Sequence, residues 1–218
     1  MHVPKHIVTS ALEESIYMKI IVATKNKGKL KEISQILKEL PLEVVSMEDA
    51  GYHNDIEENG ATFEENALIK AREIHKATGE TVMADDSGLE VDYLDGAPGI
   101  YSARFAGEGA SDEDRNRKLL NMLQGVPVEK RTARFVCAIA VVMRNGDEFT
   151  VRGTCEGYIA LSPQGKNGFG YDPLLYVPEY GMTMAQLAPE VKNRISHRAN
   201  ALKLMQEELI KRLNIEKG

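Results

Sequence analysis

Cysteine is scarce in this chain, and its placement narrows the chemistry before any motif is considered. The two residues, Cys137 and Cys155, lie in strand-like runs far from any metal-ligand spacing. That pattern points to buried thiols in a reducing, cytoplasmic setting rather than to a thiolate metal centre. Positive charge is also short. With 27 Lys and Arg against 33 Asp and Glu the net charge is −6, so no global basic field recruits nucleic acid, and phosphate recognition must be local. No apolar run approaches the roughly 18 residues that a membrane span needs. Residues 1–17 lack the apolar core and small-residue cleavage site of a secretory signal. We treat them as an N-terminal extension, with the compact domain expected over 18–218. No internal repeat, linker or low-complexity tract appears. With 218 residues, 43% of them hydrophobic, the chain has enough material for one sizeable core or one domain of two lobes.

What is present reads as alternating strands and helices. Lys19 to Ala23 is a short apolar strand. It breaks at Thr24-Lys25-Asn26-Lys27-Gly28-Lys29, and a helix follows with Leu30, Ile33, Ile36, Leu37 and Leu40 at helical spacing. A strand, a polar glycine-containing loop and a helix form the geometry in which backbone amides face an anion. The glycine spacing is not that of a Walker loop. A second strand, Leu42 to Ser46, leads to the acidic loop Asp55-Ile56-Glu57-Glu58-Asn59-Gly60. Thr62 and Glu65 then open a helix that runs to about Ala77 and closes at Gly79, burying Phe63, Ala67, Ala71 and Ile74. Lys70 falls one position outside that stripe and reads as a surface lysine.

The stretch Thr81 to Leu89 reads as a buried strand ending in Asp85, Asp86, Ser87 and Gly88. Carboxylates at the mouth of a buried strand must be paired or bound to a cation, because desolvating a charge costs several kcal/mol. Two adjacent acids beside a hydroxyl suit a hard divalent cation such as Mg²⁺ and an activated water. Further on, Gly96-Ala97-Pro98-Gly99 is a turn, and Ser111 with Asp114 caps a helix. Arg134 to Arg144 and Glu148 to Leu161 form a hairpin about Asn145-Gly146, which argues for a mixed sheet. The loop Ser162 to Pro173 sets Phe169 between glycines, a mobile mount for a flat apolar plate suited to stacking on a base. Ser196 caps the last helix, whose buried stripe is Leu202, Met205, Leu209 and Leu213. His197 and Arg198 occupy its first turn, where positive charge opposes the helix dipole, and local rules tend to fail at functional sites.

Together these residues resemble the inosine triphosphatase family, the non-canonical purine nucleoside triphosphate pyrophosphatases, in their bacterial form. The resemblance spans nearly all of 18–213. It rests on the Thr24 to Lys29 loop, Ala84-Asp85-Asp86-Ser87-Gly88-Leu89, Gly96 to Arg104, Gly168-Phe169-Gly170-Tyr171-Asp172-Pro173 and Ser196-His197-Arg198. It implies an α/β fold, a two-lobed domain around a long mixed β-sheet flanked by helices, with the active site in the cleft between lobes. It also implies a homodimer, with no nucleic-acid or membrane partner. The implied reaction is Mg²⁺-dependent hydrolysis of inosine and xanthosine triphosphates and their deoxy forms to the monophosphate and pyrophosphate. The alternative is a non-catalytic purine nucleotide sensor of the same fold. By position, Thr24, Lys25, Asn26, Lys27, Gly28 and Lys29 would hold the phosphates. Asp86 would be the catalytic carboxylate, as proton acceptor or as the group steering the attacking water, and would share the metal with Glu57. The family's acid-x-x-Gly spacing before Gly60 selects Glu57 over Glu58. Ser87 would touch the nucleotide, while Phe169, Gly170, Tyr171, Asp172, Lys192, His197 and Arg198 would form the base and sugar pocket. Lys70 and Arg104 would reach the triphosphate. A 6-oxo base offers an acceptor to donors such as Arg198, whereas adenine's 6-amino group would leave donor facing donor.

Overall fold

A computed structural model describes residues 18–38 and 42–213; the extension at 1–17 lies outside the described residues. Among the described residues seven strands form one mixed sheet in the order β2-β1-β3-β4-β5-β6-β7. The strands are β1 (Met18–Val22), β2 (Leu42–Ser46), β3 (Thr81–Val91), β4 (Thr132–Val142), β5 (Glu148–Ile159), β6 (Leu175–Val177) and β7 (Met182–Thr183). Parallel pairing of β1 with β2 and β3 gives way to antiparallel pairing from β3 onward. The expected mixed sheet is therefore present, with the predicted hairpin turning at Asn145-Gly146, where Gly146 has φ +85°.

Among the described residues five α-helices complete the fold: α1 (Lys27–Leu37), α2 (Phe63–Thr78), α3 (Asp112–Met122), α4 (Pro189–Ile195) and α5 (His197–Arg212). Their ends follow the caps expected of the sequence. The Thr62 hydroxyl accepts from the Glu65 amide, and Gly79 closes α2 with φ +69°. Ser111 and Asp114 form a reciprocal capping box at α3. Among the described residues no helix is long and apolar enough to cross a membrane.

The core has two parts. Around β1 the sheet is sandwiched, with α1 and α5 packing Ile33, Leu202 and Met205 against Ile20, Met83 and Ile139 on one face. On the other face α2 packs Ala67, Ala71 and Ile74 against Ile21, Val82 and Ala84. Beyond the end of β1, Leu119 and Leu123 join Leu89, Phe135, Ile159 and Leu175 in a second lobe. Both thiols are buried.

One expectation is corrected. β3 does not end at the carboxylates but continues through Asp85, Asp86, Ser87 and Gly88 to Val91, paired with β4 from Val82–Val142 to Val91–Ala133. This cross-strand pairing overrides the turn preference of Asp, Ser and Gly. It is β1 that ends. Its register with β3 stops at Val22–Met83, followed by the bond from the Ala23 amide to the Met83 carbonyl. The edge of β3 beyond Met83 is therefore released by its parallel neighbour just before the acids begin.

Candidate active site

A strand turns successive side chains to opposite faces, so Asp85 and Asp86 do not share one cation as adjacent acids. Asp85 lies on the α1 and α5 side, only 2% exposed. Its Oδ2 is 2.9 Å from Lys29 Nζ and 3.6 Å from Arg198 Nε. Burial alone would raise its carboxyl, but Lys29, Arg198 and Lys70 outweigh burial and hold it well below the usual range. Asp86 lies on the α2 side. Its Oδ2 accepts from Asn66 Nδ2 at 3.1 Å, and its Oδ1 from the Ser87 amide at 2.9 Å. Burial raises its carboxyl, Glu58 adds to the rise, and Lys70, Asn66 and Lys29 only partly offset it. A half-buried carboxylate with neutral donors and a like charge nearby is what a hard divalent cation relieves, so the oxygen donors here fit such an ion.

Lys70 is not the surface lysine its spacing suggests. From α2 it reaches around the released edge of β3, donating to the Asp85 carbonyl at 2.8 Å and to Glu58 Oε2 at 3.0 Å. The edge carbonyl needs a donor once β1 has ended, and the ammonium supplies it. Glu58 is thus engaged, whereas Glu57 is exposed and without an ion-pair partner among the described residues. No group of three His, Cys, Asp or Glu with metal-binding geometry occurs among the described residues.

The lysine loop becomes helix sooner than its polarity implies. Asn26 caps α1 by accepting from the Gly28 and Lys29 amides at 2.9 and 3.1 Å, and Thr24 Oγ1 accepts from the Asn26 amide. Lys27, Gly28 and Lys29 therefore lie in the first turn of α1. Lys25 leans on the acidic loop, donating to Asp55 at 2.5 Å and to the His53 carbonyl at 3.2 Å. Lys27 is exposed. The Gly28 and Lys29 amides are taken, so side-chain ammonium groups carry most of the positive charge presented here.

On the far side of Asp85 the predicted base pocket converges. Arg198 is 2% exposed; it pairs with Glu32 of α1 and donates to Ser87 Oγ at 3.4 Å. Lys192 is also buried. Its ammonium donates to Asp172 Oδ2 at 2.8 Å, lies 3.9 Å from Glu32 and sits 5.0 Å from the Phe169 ring centre. The positive charge of Arg198 at the start of α5 is thereby answered by Glu32 and Asp85. Burial, together with Arg198, Lys192 and Lys29, holds His197 well below the usual histidine range, so its ring is neutral at pH 7. The His197 ring packs against Phe135, tilted by 33° with centroids 5.0 Å apart. Its Nδ1 and the Nε of Arg198 are buried without a hydrogen-bond partner.

The glycines around Phe169 suggest a mobile loop, yet its backbone is pinned. The Phe169 amide donates to Asp172 Oδ2 at 2.9 Å, and Tyr171 Oη donates to the Ser102 carbonyl at 2.9 Å. Burial raises both the Asp172 carboxyl and the Tyr171 phenol. Gly168, with φ +79°, passes so close that a Cβ there would overlap Asp172 Oδ2. Phe169 itself remains 43% exposed.

Two residues stand out that the sequence alone does not mark. Glu32 looks like a polar-face residue of α1 and acquires meaning only from its long-range pairing with Arg198 and Lys192. Asn66, buried on α2, holds Asp86. Arg104, by contrast, is exposed over the Tyr101 ring at 4.9 Å, and no hydrogen bond or ion pair ties it to these groups among the described residues.

Known proteins share both this fold and much of this sequence. A dITP/XTP pyrophosphatase of Desulforamulus reducens is 52% identical over 91% of this chain and 98% of its own. One from a Thermoanaerobacter species is 54% identical over 90% and 98%. The structure of a HAM1 protein from Coxiella burnetii matches with a TM-score of 0.83 at 42% identity, covering 89% of this chain and 99% of that one. The Staphylococcus aureus Ham1 protein matches at 0.82 and 45%, with the same coverage. The Ham1 family model matches residues 20–208, and the chain belongs to the Ham1 family.

Proposed function

We propose that this protein hydrolyses non-canonical purine nucleoside triphosphates, of the inosine, deoxyinosine and xanthosine kind, to the monophosphate and pyrophosphate, clearing them from the nucleotide pool. The observation that carries the reading is the pair of unlike environments on either side of β3. One side holds a carboxylate with raised pKa and free lone pairs, suited to water and metal. The other holds buried cations, a neutral histidine and unpaired polar atoms beside an exposed aromatic ring, suited to a heterocycle.

Asp86 would take or orient the proton of the water that attacks the α-phosphorus, and the bond to the pyrophosphate oxygen breaks. Lys29, Lys25 and Lys70 would hold the negative charge that develops on the phosphate oxygens. Asp86 and Glu57 would supply oxygen ligands to Mg²⁺, with Glu57 the freer choice because Glu58 is engaged by Lys70. When bound, the ion supplies Lewis-acid charge neutralisation at the phosphates. Thr24, Asn26, Lys27 and Gly28 would frame the phosphates, and Ser87 the sugar side. Phe169 would stack on the base between Gly170, Tyr171 and Asp172, with Lys192, His197 and Arg198 presenting donors to its 6-oxo edge. Adenine, a donor at that position, would leave those buried donors unpaired, a strong penalty.

The resemblance further supports a homodimer acting in the cytoplasm, without nucleic-acid or membrane partners. The decisive experiment is product analysis with Mg²⁺. Inosine triphosphate should release pyrophosphate far faster than adenosine triphosphate does. Orthophosphate as first product would overturn the reaction, and nucleotide binding without product over hours would favour a sensor.

A further inference from the structure

The Phe169 loop is held from outside the site by one helix. Asp112 and Asn116 stand one turn apart on α3, and both reach the same residue. Asp112 Oδ2 accepts from the Gly170 amide at 2.7 Å, and Asn116 Nδ2 donates to the Gly170 carbonyl at 3.1 Å. Gly170 has φ +63°, so its two peptide groups are fixed by side chains while the residue sits in a backbone region that few others adopt. Neither side chain is needed to cap α3, because Ser111 and Asp114 already do so. Asn116 is 6% exposed beside an apolar cluster, with Oδ1 unpartnered, so its bond to Gly170 is the one hydrogen bond of its amide among the described residues. Arg115 ties Asp112 to the preceding segment, pairing with its carboxylate while donating to the Ala103 and Ala110 carbonyls at 3.0 and 2.6 Å.

We infer that Asp112 and Asn116 are positioning residues for base recognition, a clamp that sets the height and tilt of the Phe169 ring through Gly170. They touch neither phosphate-binding nor metal-binding groups, so their effect falls on binding of the base rather than on the hydrolytic step. This rests on Phe169 being the base platform.

The test is a double-mutant cycle on KM and kcat for inosine triphosphate, using Phe169→Ala, Asp112→Ala and the pair. Each single variant should raise KM by about fivefold or more, the lower end of what base–aromatic stacking contributes. kcat should stay within about twofold of wild type, as expected for loss of uniform binding. The double variant should be no worse than Phe169→Ala alone, because residues acting through one ring do not add. Asp112→Asn, which keeps an acceptor for the Gly170 amide, should restore KM. If Phe169→Ala leaves KM unchanged, the platform reading fails and the clamp with it. If Phe169→Ala raises KM but Asp112→Ala adds to it in full, or lowers kcat at unchanged KM, the clamp alone is overturned. Should Asp112→Ala not fold, the same cycle with Asn116→Ser separates the same outcomes.

Discussion

Asp85 and Asp86 are consecutive in β3, yet their carboxyl groups leave opposite faces of the sheet and are driven in opposite directions. Asp85 is gripped by Lys29 and Arg198 and held well below the ordinary range. Asp86 is raised, by burial first and by nearby Glu58 second, with its hydrogen bonds from Asn66 and the Ser87 amide and the charge of Lys70 too weak to reverse this. One acid is part of the frame, and the other is kept available. Substitution should separate the two roles.

Asp86→Asn should abolish turnover while nucleotide binding survives. The raised carboxyl means that ionising Asp86 in the folded state costs stability at neutral pH, a cost relieved as pH falls. The variant should therefore be inactive yet at least as stable as wild type at pH 7. Pyrophosphate release, nucleotide affinity and a urea midpoint measured together check this. Near-full activity would remove Asp86 from the mechanism.

Asp85→Asn should do the reverse, leaving the buried Arg198 and the half-buried Lys29 short of a counter-charge. Breaking a buried pair in this way costs about 3–5 kcal/mol, to be read as a lower urea midpoint at pH 7. The direction with pH is definite. A carboxyl lowered by folding stabilises the protein above its unfolded value, about 3.9, and that contribution is lost as pH falls below it. The gap between wild type and Asp85→Asn should accordingly narrow on acidification below about pH 4. A gap that widened would contradict the pairing.

Lys70→Ala removes the strongest influence lowering the Asp86 carboxyl. Carbon-detected NMR of the metal-free protein should find Asp86 titrating above the ordinary carboxylate range in wild type. In the variant it should titrate higher still. A downward move would mean that Lys70 does not act on Asp86 through its charge.

Gly168→Ala places a side chain at positive φ and onto Asp172. Such backbone strain costs about 1–3 kcal/mol, and here it would also part Asp172 from Lys192. A raised KM for inosine triphosphate together with a lowered denaturation midpoint is expected; an unchanged KM would show that the loop tolerates the displacement.

Much of the frame is legible in the sequence because it is written in local chemistry. Thr62 with Glu65, Ser111 with Asp114, and Asn145-Gly146 each satisfy nearby backbone groups, and each end or turn sits where those residues put it. The continuation of β3 is not local. Asp85 to Gly88 resemble a turn until ten positions of β4 lie alongside. The short α4 escapes a reading by periodicity, although Pro189 stands at its first position, a common helix start. Within the candidate site the residues themselves single out Asp86, His197 and Arg198, and the resemblance adds Lys192, but neither marks Glu32. A glutamate on a polar helix face is unremarkable until an arginine 166 residues later is folded against it. Lys70 misleads for the same reason, since periodicity says which way a residue faces and nothing about a strand that ends in front of it.

The early end of β1 also bears on how the protein keeps to itself. A strand freed of its neighbour inside a sheet presents a template on which a foreign chain could zip, and proteins commonly block such templates with lysine. Lys70 fills the gap from the side, bonding the carbonyl that an intruding strand would need. The stretch of β3 that β1 leaves uncovered is in this way closed to a polypeptide.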